Sequence, residues 1–456
     1  MDKLTELEAR SDELTAAIKS HIERRRRDAQ SSGVDSDAEK EPSKGKTGIY
    51  ASMAKMKALL DEPVDLLRDL ARQVEIVACL KWLAEFQILV CIPPDESIAI
   101  KDLADLAGVP EIQLGRVIRL VATSGFLQEP ITNYVSHTPL SAQFVTNQSL
   151  LDAAVFMADV AAPTALQMPT ATQRFGSSQN PTETAYSMAL RTIQPFGVAI
   201  QEQPKLGRQW SAYLRHAVGL HQEKGIMEML SQLKWSNLGN AFIVEVGAQS
   251  TSMAQHLAQK FPTLRLIVQI YHTRSSSSLH DLEHLRLIEM MGGVESDSSS
   301  SSSPGSGSRP SSAGSRITVT YRAAGTPQPV IDAAVYILHL RSPAGVEGID
   351  RIGMVRAELQ YYLGILRSSG GILLIPTAKL LPEPGSLADP MLEAVARAHD
   401  LTMLQLANEG EMEMTQLISV IQAIQDNLGR LVITNQLRSP NSLIVCLTVK
   451  HEAYCI

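Results

Sequence analysis

The residues best placed to do chemistry stand in the stretch 244–252, which reads Val-Glu-Val-Gly-Ala-Gln-Ser-Thr-Ser. A loop that follows a buried strand is where nucleotide-type folds bring their backbone close to a ligand. Glycines recur in such loops because a side chain would hold the ligand away. Here only Gly247 is a glycine, whereas Gln249 and Thr251 carry side chains at the later positions. The stretch therefore predicts a vestigial cofactor loop.

Two histidine patterns offer weaker chemistry. His280 and His284 have the spacing of two ligands on a zinc-protease helix, but Asp281 replaces the glutamate and no third ligand is evident. A surface helix explains that pair better. His339 lies in an apolar run, where a structural histidine is expected. We predict no metal site and no catalytic residue, and the sequence contains no Walker loop or Gly-x-Ser-x-Gly motif.

The elements that must position the loop form a strand–glycine–helix–strand unit. The run 242–247 predicts a strand, 253–261 a helix and 264–270 a second strand. This order opens a parallel, doubly wound sheet, so the C-terminal part is predicted to be a Rossmann-like α/β domain. Further strands are predicted at 317–321, 333–340, 371–375, 430–434 and 442–449.

The N-terminal half predicts a winged helix. After the apolar helical stretch 63–92, two short helices meet at a turn where Gly108 ends one and Pro110 opens the next. The run 126–137 then predicts two short strands around a Pro/Asn turn.

The charge of this winged helix argues against reading a DNA duplex. Residues 51–150 carry eight Lys or Arg against twelve Asp or Glu, and the second helix offers only Arg116 and Arg119. A duplex reader needs several cations on one face. We therefore expect no direct sequence-specific DNA binding, and favour dimer formation or internal packing.

Composition sets the domain boundaries. The 456 residues, 44% hydrophobic and 20% charged, leave room for two or three folded domains. Low apolar content at 29–47 predicts a disordered linker, with folded structure from near Ile49. Twelve serines at 296–315 predict a disordered insertion that is also a phosphorylation target. The predicted divisions are a charged helix and linker at 1–47, a winged helix at 48–150, a helical connecting region at 151–238 and a Rossmann-like domain at 239–456.

Bulk properties narrow the cellular setting. The net charge of -7 gives no general attraction to nucleic acid or anionic lipid. No secretory signal and no run of about 18 apolar residues is evident, so neither secretion nor a membrane partner is expected. The cysteines show no CxxC pair and predict reduced thiols in an intracellular protein; they are Cys79, Cys91, Cys446 and Cys455.

The order of these segments resembles the small-molecule O-methyltransferases of plants and fungi. The resemblance runs from about Asp65 to Val449 and is carried by 233–239, 243–247, 261–269 and 370–384. It implies an N-terminal winged-helix domain of the dimerisation type and a C-terminal Rossmann-like class I methyltransferase domain, which would bind S-adenosylmethionine.

The working residues that the resemblance implies are mostly absent. Glu245 and Gly247 fit the family's glycine-rich loop, but Ala248, Gln249 and Thr251 depart from it. The acidic residue that would bind the ribose hydroxyls falls at about Ile270, which is apolar. The His-Asp-Trp catalytic motif should follow strand 335–340, where the chain reads Arg-Ser-Pro-Ala-Gly at 341–345. We expect no bound cofactor and no methyl transfer.

A narrower resemblance is to the methyltransferase-like coactivators of fungal polyketide gene clusters of the aflatoxin type. It is carried by 80–97, 174–176, 208–210 and 334–340. It implies a transcriptional coactivator that acts with a zinc-cluster transcription factor. The two alternatives are an active S-adenosylmethionine-dependent O-methyltransferase acting on a polyketide phenol, and a cytoplasmic scaffold for pathway enzymes.

One feature supports a nuclear role independently of the resemblance. The run Arg24, Arg25, Arg26 and Arg27, followed by Lys40, Lys44 and Lys46, could serve as a nuclear-import signal. A solvated helix end, whose cations suit a helix C-terminus, explains the same run. We predict a homodimer in the nucleus, with some of the protein in the cytoplasm as well.

Overall fold

The computed structural model describes residues 3–30, 43–218, 222–239, 241–248, 250–272, 316–323, 325–340, 351–377, 380–387, 390–439 and 444–454. The chain divides into unit 1, Met1–Leu220 with Pro384–Gly410, and unit 2, His221–Glu383 with Glu411–Ile456. The predicted serine-rich insertion 296–315, the residues between helices at 31–42, and the pair His280 and His284 lie outside the described residues.

Helices account for most of unit 1 and flank the strands of unit 2. The helices are α1 (Lys3–Gln30), α2 (Ser43–Leu60), α3 (Pro63–Glu85), α4 (Ile88–Cys91), α5 (Ile100–Ala107), α6 (Glu111–Ala122), α7 (Pro139–Thr146), α8 (Gln148–Phe156), α9 (Ala162–Phe175), α10 (Ala185–Ala189), α11 (Phe196–Glu202), α12 (Pro204–His216), α13 (Gln222–Leu230), α14 (Ser252–Lys260), α15 (Arg351–Ser369), α16 (Pro390–Ala407) and α17 (Met414–Gln422). The strands are β1 (Ile98–Ala99), β2 (Leu127–Gln128), β3 (Tyr134–His137), β4 (Phe242–Ala248), β5 (Arg265–His272), β6 (Ile317–Ala323), β7 (Val335–Leu338), β8 (Ile372–Pro376), β9 (Gly429–Arg438) and β10 (Val445–Ala453).

The predicted start of folded structure near Ile49 is wrong. Helix α2 begins at Ser43, inside the segment that the composition assigns to the linker. Ser and Gly favour a loop locally, but α2 packs against α1, and Ala51 is buried. Tertiary packing of a helix outweighs the weak local preference of its first residues.

The predicted winged-helix elements are present in unit 1. Gly108 ends α5 in a left-handed conformation at φ +66°, which a residue without a side chain adopts at little cost. Strand β3 pairs with β2 and also with β1, a strand that the sequence analysis did not predict. Leu103, Leu114 and Ile118 are fully buried between the helices and this small sheet.

A second core of unit 1 is aromatic. Phe156, Phe196 and Trp210 lie with ring centroids 5.1 to 6.3 Å apart, and Leu406 of α16 packs against them.

The sequence assigned α16 to the Rossmann-like domain because it lies between strands of that domain. Its apolar side is instead buried in unit 1, so the predicted boundaries of 239–456 need correction.

One helical stretch of unit 1, Gln148–Phe175, is long and apolar enough to cross a membrane by length and composition alone. This is weak evidence, since a core helix meets the same criterion. Phe156 lies in the aromatic core, and the buried Asp152 accepts two hydrogen bonds from Arg208, at 2.8 and 3.3 Å. These contacts pack the first part of the stretch, α8, into unit 1.

Unit 2 is built on a seven-stranded sheet of order β6-β5-β4-β7-β8-β10-β9. Strands β4 to β8 run parallel, as the strand–helix alternation predicts, whereas β10 is antiparallel to both β8 and β9. Helices α15 and α17 cover one face and α13 and α14 the other. This is the predicted Rossmann-like α/β domain, and it places the ends of β4, β5 and β7 side by side.

Candidate functional site

The loop singled out in the sequence lies at the carboxyl edge of the parallel strands. Ala248 at the end of β4 stands opposite Ile270 of β5, and the amide of His339, just after β7, donates to the carbonyl of Val246 at 3.0 Å. In open α/β sheets, ligands bind outside this edge. The fold therefore brings the predicted loop to the place where a cofactor would bind.

Gly247 has close neighbours on the side where a side chain would project. Its φ of +74° is in the left-handed region, and a β-carbon built there would lie 2.8 Å from the Tyr271 ring and 3.0 Å from the carbonyl oxygen of His339. Both distances are shorter than a normal contact. The bare side of this glycine is thus occupied by the chain's own Tyr271, which the sequence analysis did not identify.

Glu245 and His339 form a buried pair beneath the loop. His339 Nε2 lies 3.1 Å from Glu245 Oε1, and both side chains are largely shielded from solvent. The other carboxylate oxygen of Glu245 is buried and has no hydrogen-bond partner in the described part of the chain. His339 therefore has the structural position that the apolar run predicts, with Glu245 as its partner.

Ile270, the position to which the resemblance assigns the ribose, has no hydrogen-bond acceptor in its side chain. Ile270 packs into the apolar cluster on the α13 and α14 side of the sheet. Its neighbour Gln269 is fully buried and exchanges two hydrogen bonds of 2.8 Å with Gln328. The two side-chain amides satisfy each other's hydrogen bonds within the fold, so neither is available to hydrogen-bond to a ligand.

A buried ion pair closes the neighbouring part of the edge. Arg322 of β6 donates to both carboxylate oxygens of Glu358 of α15, at 2.6 and 3.2 Å, and also to the carbonyl of Thr326. The two charged side chains are 3% and 10% exposed. Tyr271 lies beside the pair, where its burial and then the charge of Glu358 raise the pKa of its phenol. No local sequence pattern marks these residues, because they come from three distant elements.

The remaining loop positions divide into described and undescribed residues. Thr251 precedes α14, and its hydroxyl accepts a hydrogen bond from Gln255 at 3.2 Å. Gln249 and the segment 341–345, where the catalytic motif would stand, lie outside the described residues. Among the residues that are described, no group of three or more His, Cys, Asp or Glu could hold a metal ion.

The fit of S-adenosylmethionine to this edge is poor. A ribose needs an acceptor at Ile270, which has only carbon atoms in its side chain, and close approach at Gly247 meets Tyr271 on one side. Beneath the loop, the second carboxylate oxygen of Glu245 is a buried polar atom without a partner among the described residues, as is Nε of Arg322 in the neighbouring ion pair. Both atoms are covered by protein rather than open to solvent, so they do not form a cradle for a ligand of that size.

The predicted basic residues lie in unit 1. Arg119 is held by Glu129 at 3.2 Å and by Asn133 at 2.8 Å, and the hydrogen bond from Arg119, then one from the Asn133 amide, lower the pKa of Glu129. Arg116 is exposed. One of the two cations on α6 is thus engaged within the chain, which leaves little charge for a DNA backbone.

The run Arg24, Arg25, Arg26 and Arg27 lies exposed near the C-terminal end of α1. It is helical, so the four side chains point to different sides of the helix. The described part of the chain provides no ion-pair partner for any of them, whereas Arg10 on the same helix pairs with Glu6 and Glu13.

The described cysteines are free thiols, as the sequence predicts. Cys79 and Cys446 are buried and Cys91 is half-buried, while Cys455 lies outside the described residues. Burial raises the pKa of the Cys446 thiol to about 12. Burial also raises the pKa of the Cys79 thiol, so neither of these two buried thiols is activated as a nucleophile.

Comparison with curated proteins finds close relatives along the whole chain. The Notoamide biosynthesis cluster transcriptional coactivator notR of Aspergillus sp. (strain MF297-2) is 67% identical over 463 residues, covering 100% of this chain and 99% of that protein. The Monodictyphenone cluster transcriptional coactivator mdpA of Emericella nidulans is 39% identical, covering 100% and 99%. No family model matches the chain.

Solved structures with the same fold include methyltransferases. The mitomycin 7-O-methyltransferase MmcR has a TM-score of 0.56 at 15% identity, with 88% of this chain and 100% of that one covered. The LepI complex with SAM has a TM-score of 0.60 at 16% identity, with 97% and 100% covered. At these identities the likeness shows the class I methyltransferase fold and nothing more, because one fold supports many functions.

Proposed function

The chain belongs to the family of transcriptional coactivators of fungal secondary-metabolite gene clusters, and we propose that it raises the expression of a polyketide cluster by contacting a zinc-cluster transcription factor. The observation that carries this proposal is the near-complete overlap with the notoamide-cluster coactivator at 67% identity. Contact with a DNA-bound partner fits the acidic excess of the winged helix and the engagement of Arg119 by Glu129. Such a protein reaches DNA through its partner.

We infer that the protein does not transfer methyl groups and holds no S-adenosylmethionine. Ile270 cannot accept the hydrogen bonds of a ribose, and an unmade hydrogen bond to a buried polar group costs about 1 to 3 kcal/mol. The contact of Tyr271 with Gly247 adds a steric barrier on one side of the loop. Both features support a fold that is retained for its surfaces.

Titration of S-adenosylmethionine into the purified full chain tests the absence of a cofactor. A ligand at about 100 times its Kd would stabilise the protein by about 2.7 kcal/mol, which is a rise in Tm of roughly 5 to 10 °C for a unit of this size. We expect no rise in Tm and no heat in calorimetry, with MmcR as the positive control. A rise accompanied by methylation of a polyketide phenol would establish the alternative, an active O-methyltransferase.

Deletion of the gene in a producing strain tests the coactivator role. We expect the cluster transcripts to fall together with the product, and to return when the chain is restored. Capture of the zinc-cluster factor from the same cells by the tagged full chain identifies the partner. Normal transcripts with lost product would instead favour the alternative of a scaffold for pathway enzymes.

We also propose that the protein is a homodimer through α3. Four large apolar side chains at spacings of three and four residues share one row of this helix and are 50% to 67% exposed; they are Leu66, Leu67, Leu70 and Val74. Burying them removes roughly 400 Å² per copy, about half of one partner's share of a standard interface. The double variant Leu67→Glu/Val74→Glu should be monomeric in light scattering. The control Arg68→Glu, which lies on the same helix outside this row, should remain dimeric.

The arginine run 24–27 supports nuclear import as part of this function. We propose that an import receptor binds it, since four adjacent exposed cations at a helix end are accessible. Replacing all four by alanine should shift a fluorescent fusion from the nucleus to the cytoplasm. Unchanged nuclear fluorescence would assign the run to the helix end alone.

A further inference from the structure

One face of α1 combines exposed apolar and basic side chains. Ile18 and Ile22 are 39% and 43% exposed and are four residues apart, so they are neighbours on the helix surface. Lys19, Arg25 and Arg26 are exposed on the same side, because Arg25 and Arg26 follow Ile22 by three and four residues. We call these five residues the α1 face.

The charges of the α1 face have no ion-pair partner among the described side chains, which include Glu23 but not Asp28. Between Glu13 and Glu23 the sequence contains no acidic residue, and four arginines follow directly after Glu23. No ion pair to Lys19 or to the arginines occurs among the described residues, although Arg10 of the same helix has two. Placing several like charges side by side is unfavourable unless an anion binds. This is unusual in a chain whose net charge is -7.

The mixture of side chains selects the kind of anion. A DNA backbone offers phosphates alone, and it would leave Ile18 and Ile22 covered by water or by other polar groups. An acidic peptide with apolar residues on the same face can bury both isoleucines while its carboxylates accept from the guanidinium groups, which are bidentate donors. Peptides with this acidic and apolar alternation are common in disordered transcriptional activation segments.

We propose that the α1 face binds an acidic, amphipathic segment of the partner transcription factor. This inference rests on the proposed coactivator function and names the chemistry of the contact. The segment would fold against α1 when it binds, and the ordering of its backbone lowers the affinity. We expect a Kd on the order of 10 µM for an isolated peptide.

Fluorescence anisotropy with the full chain tests the contact directly. The probe is a short fluorescein-labelled peptide in which Asp and Glu alternate with Leu and Phe, and the controls are oligoglutamate and a DNA duplex. We expect the amphipathic peptide to bind and Arg25→Glu/Arg26→Glu to weaken it about tenfold or more. Ile18→Ser/Ile22→Ser should weaken it severalfold. The matched control Arg24→Glu/Arg27→Glu makes the same change of charge on other sides of α1 and should weaken it less than about threefold.

Three outcomes would overturn the proposal. The first is equal loss in the two arginine double variants, which would mean a diffuse charge effect. The second is tighter binding of oligoglutamate or of the DNA duplex than of the amphipathic peptide. The third is an unchanged affinity in Ile18→Ser/Ile22→Ser. Circular dichroism of each variant verifies that α1 is still helical, which is expected because all the altered side chains are exposed.

A cellular arm separates this contact from nuclear import and from the coactivator role itself. An independent import signal is fused to the C-terminus of each variant, so that nuclear entry no longer depends on the arginine run. Under that condition Arg25→Glu/Arg26→Glu should remain nuclear, fail to capture the transcription factor and fail to restore cluster transcripts. Full restoration of cluster transcripts by this variant would refute the docking proposal and leave the coactivator function intact. Failure of the unaltered chain to restore the transcripts would instead refute the proposed coactivator function.

Discussion

Substitutions in the buried ion pair of Arg322 and Glu358 should show how much the pair contributes to the stability of unit 2. Arg322→Met leaves the carboxylate of Glu358 buried without a cation, and Glu358→Met leaves the guanidinium of Arg322 in the same position. The pair is 3% and 10% exposed and makes two hydrogen bonds, so solvent cannot replace the missing partner in either variant. We therefore expect a large loss of stability from each single substitution.

The expected size follows from the burial. Breaking a buried pair by removing one partner costs about 3 to 5 kcal/mol, because an uncompensated charge remains in a medium of low polarity. For a unit of roughly 200 residues each kcal/mol lowers Tm by about 2 to 4 °C, so Tm should fall by roughly 6 to 20 °C. Arg322→Met/Glu358→Met leaves no buried charge and should come within about 2 kcal/mol of the parent. Thr326 is an exposed residue, so its carbonyl can then accept a hydrogen bond from water.

Differential scanning calorimetry of the four proteins measures this cycle. The unfolding transition of unit 2 should move in the order parent, double variant, single variants, and the cycle should give a coupling energy of more than about 2 kcal/mol. Single substitutions that cost less than about 1 kcal/mol would contradict the reasoning, because they would mean that water reaches the pair. A double variant as unstable as the single ones would show that packing, rather than charge, is lost.

Other substitutions probe the loop, a thiol and a helix cap. Gly247→Ala should lower stability by about 1 to 3 kcal/mol, since it needs φ +74° and a β-carbon 2.8 Å from the Tyr271 ring, and Tyr271→Ala should recover part of that loss in thermal melts. Cys446 should resist alkylation in the native chain while Cys91 reacts, as read by mass spectrometry, because the pKa of Cys446 is raised to about 12 by burial. The pKa of the Cys446 thiol is higher in the folded chain than in the unfolded one, where it is about 8.5. Its contribution to the free energy of unfolding is therefore complete below pH 8.5 and is lost as the pH rises towards 12. Cys446→Ala should reduce the loss of stability that the parent shows in this alkaline range. Thr138→Ala should cost about 1 kcal/mol, since the Thr138 hydroxyl oxygen accepts from two amides of the first turn of α7 and its one proton lies within reach of the Gly125 and Phe126 carbonyls that follow α6.

Local periodicity was sufficient to predict the strands of unit 2 and the two helices around Gly108. Buried strands and amphipathic helices carry their pattern within a few residues, so the bounds of β4 and β5 agree closely with the structure. The placement of α16 could not be predicted in this way. Its apolar side meets partners in unit 1 that lie more than 150 residues earlier in the chain, and nothing in its own sequence distinguishes them from a sheet surface.

The candidate site shows the same division between local and distant information. Ile270 could be read as unable to bind a ribose from its residue type alone. The occupants of the edge could not be predicted, because Tyr271, Arg322 and Glu358 come from β5, β6 and α15 and meet only in the fold. Charged residues in a sequence are expected on the surface, so no pattern would have placed Arg322 and Glu358 inside.

The buried pair matters for the proposed absence of a cofactor. A bound cofactor stabilises its protein by about 3 to 4 kcal/mol at saturating concentration, and the proposal removes that contribution. Replacing a buried pair by apolar residues is often neutral, so Arg322 and Glu358 add less to stability than to the fixed position of β6 against α15. Tyr271 supplies buried apolar area next to Gly247. Together they fix the edge of the sheet in one arrangement, which the proposed action through surface contacts requires.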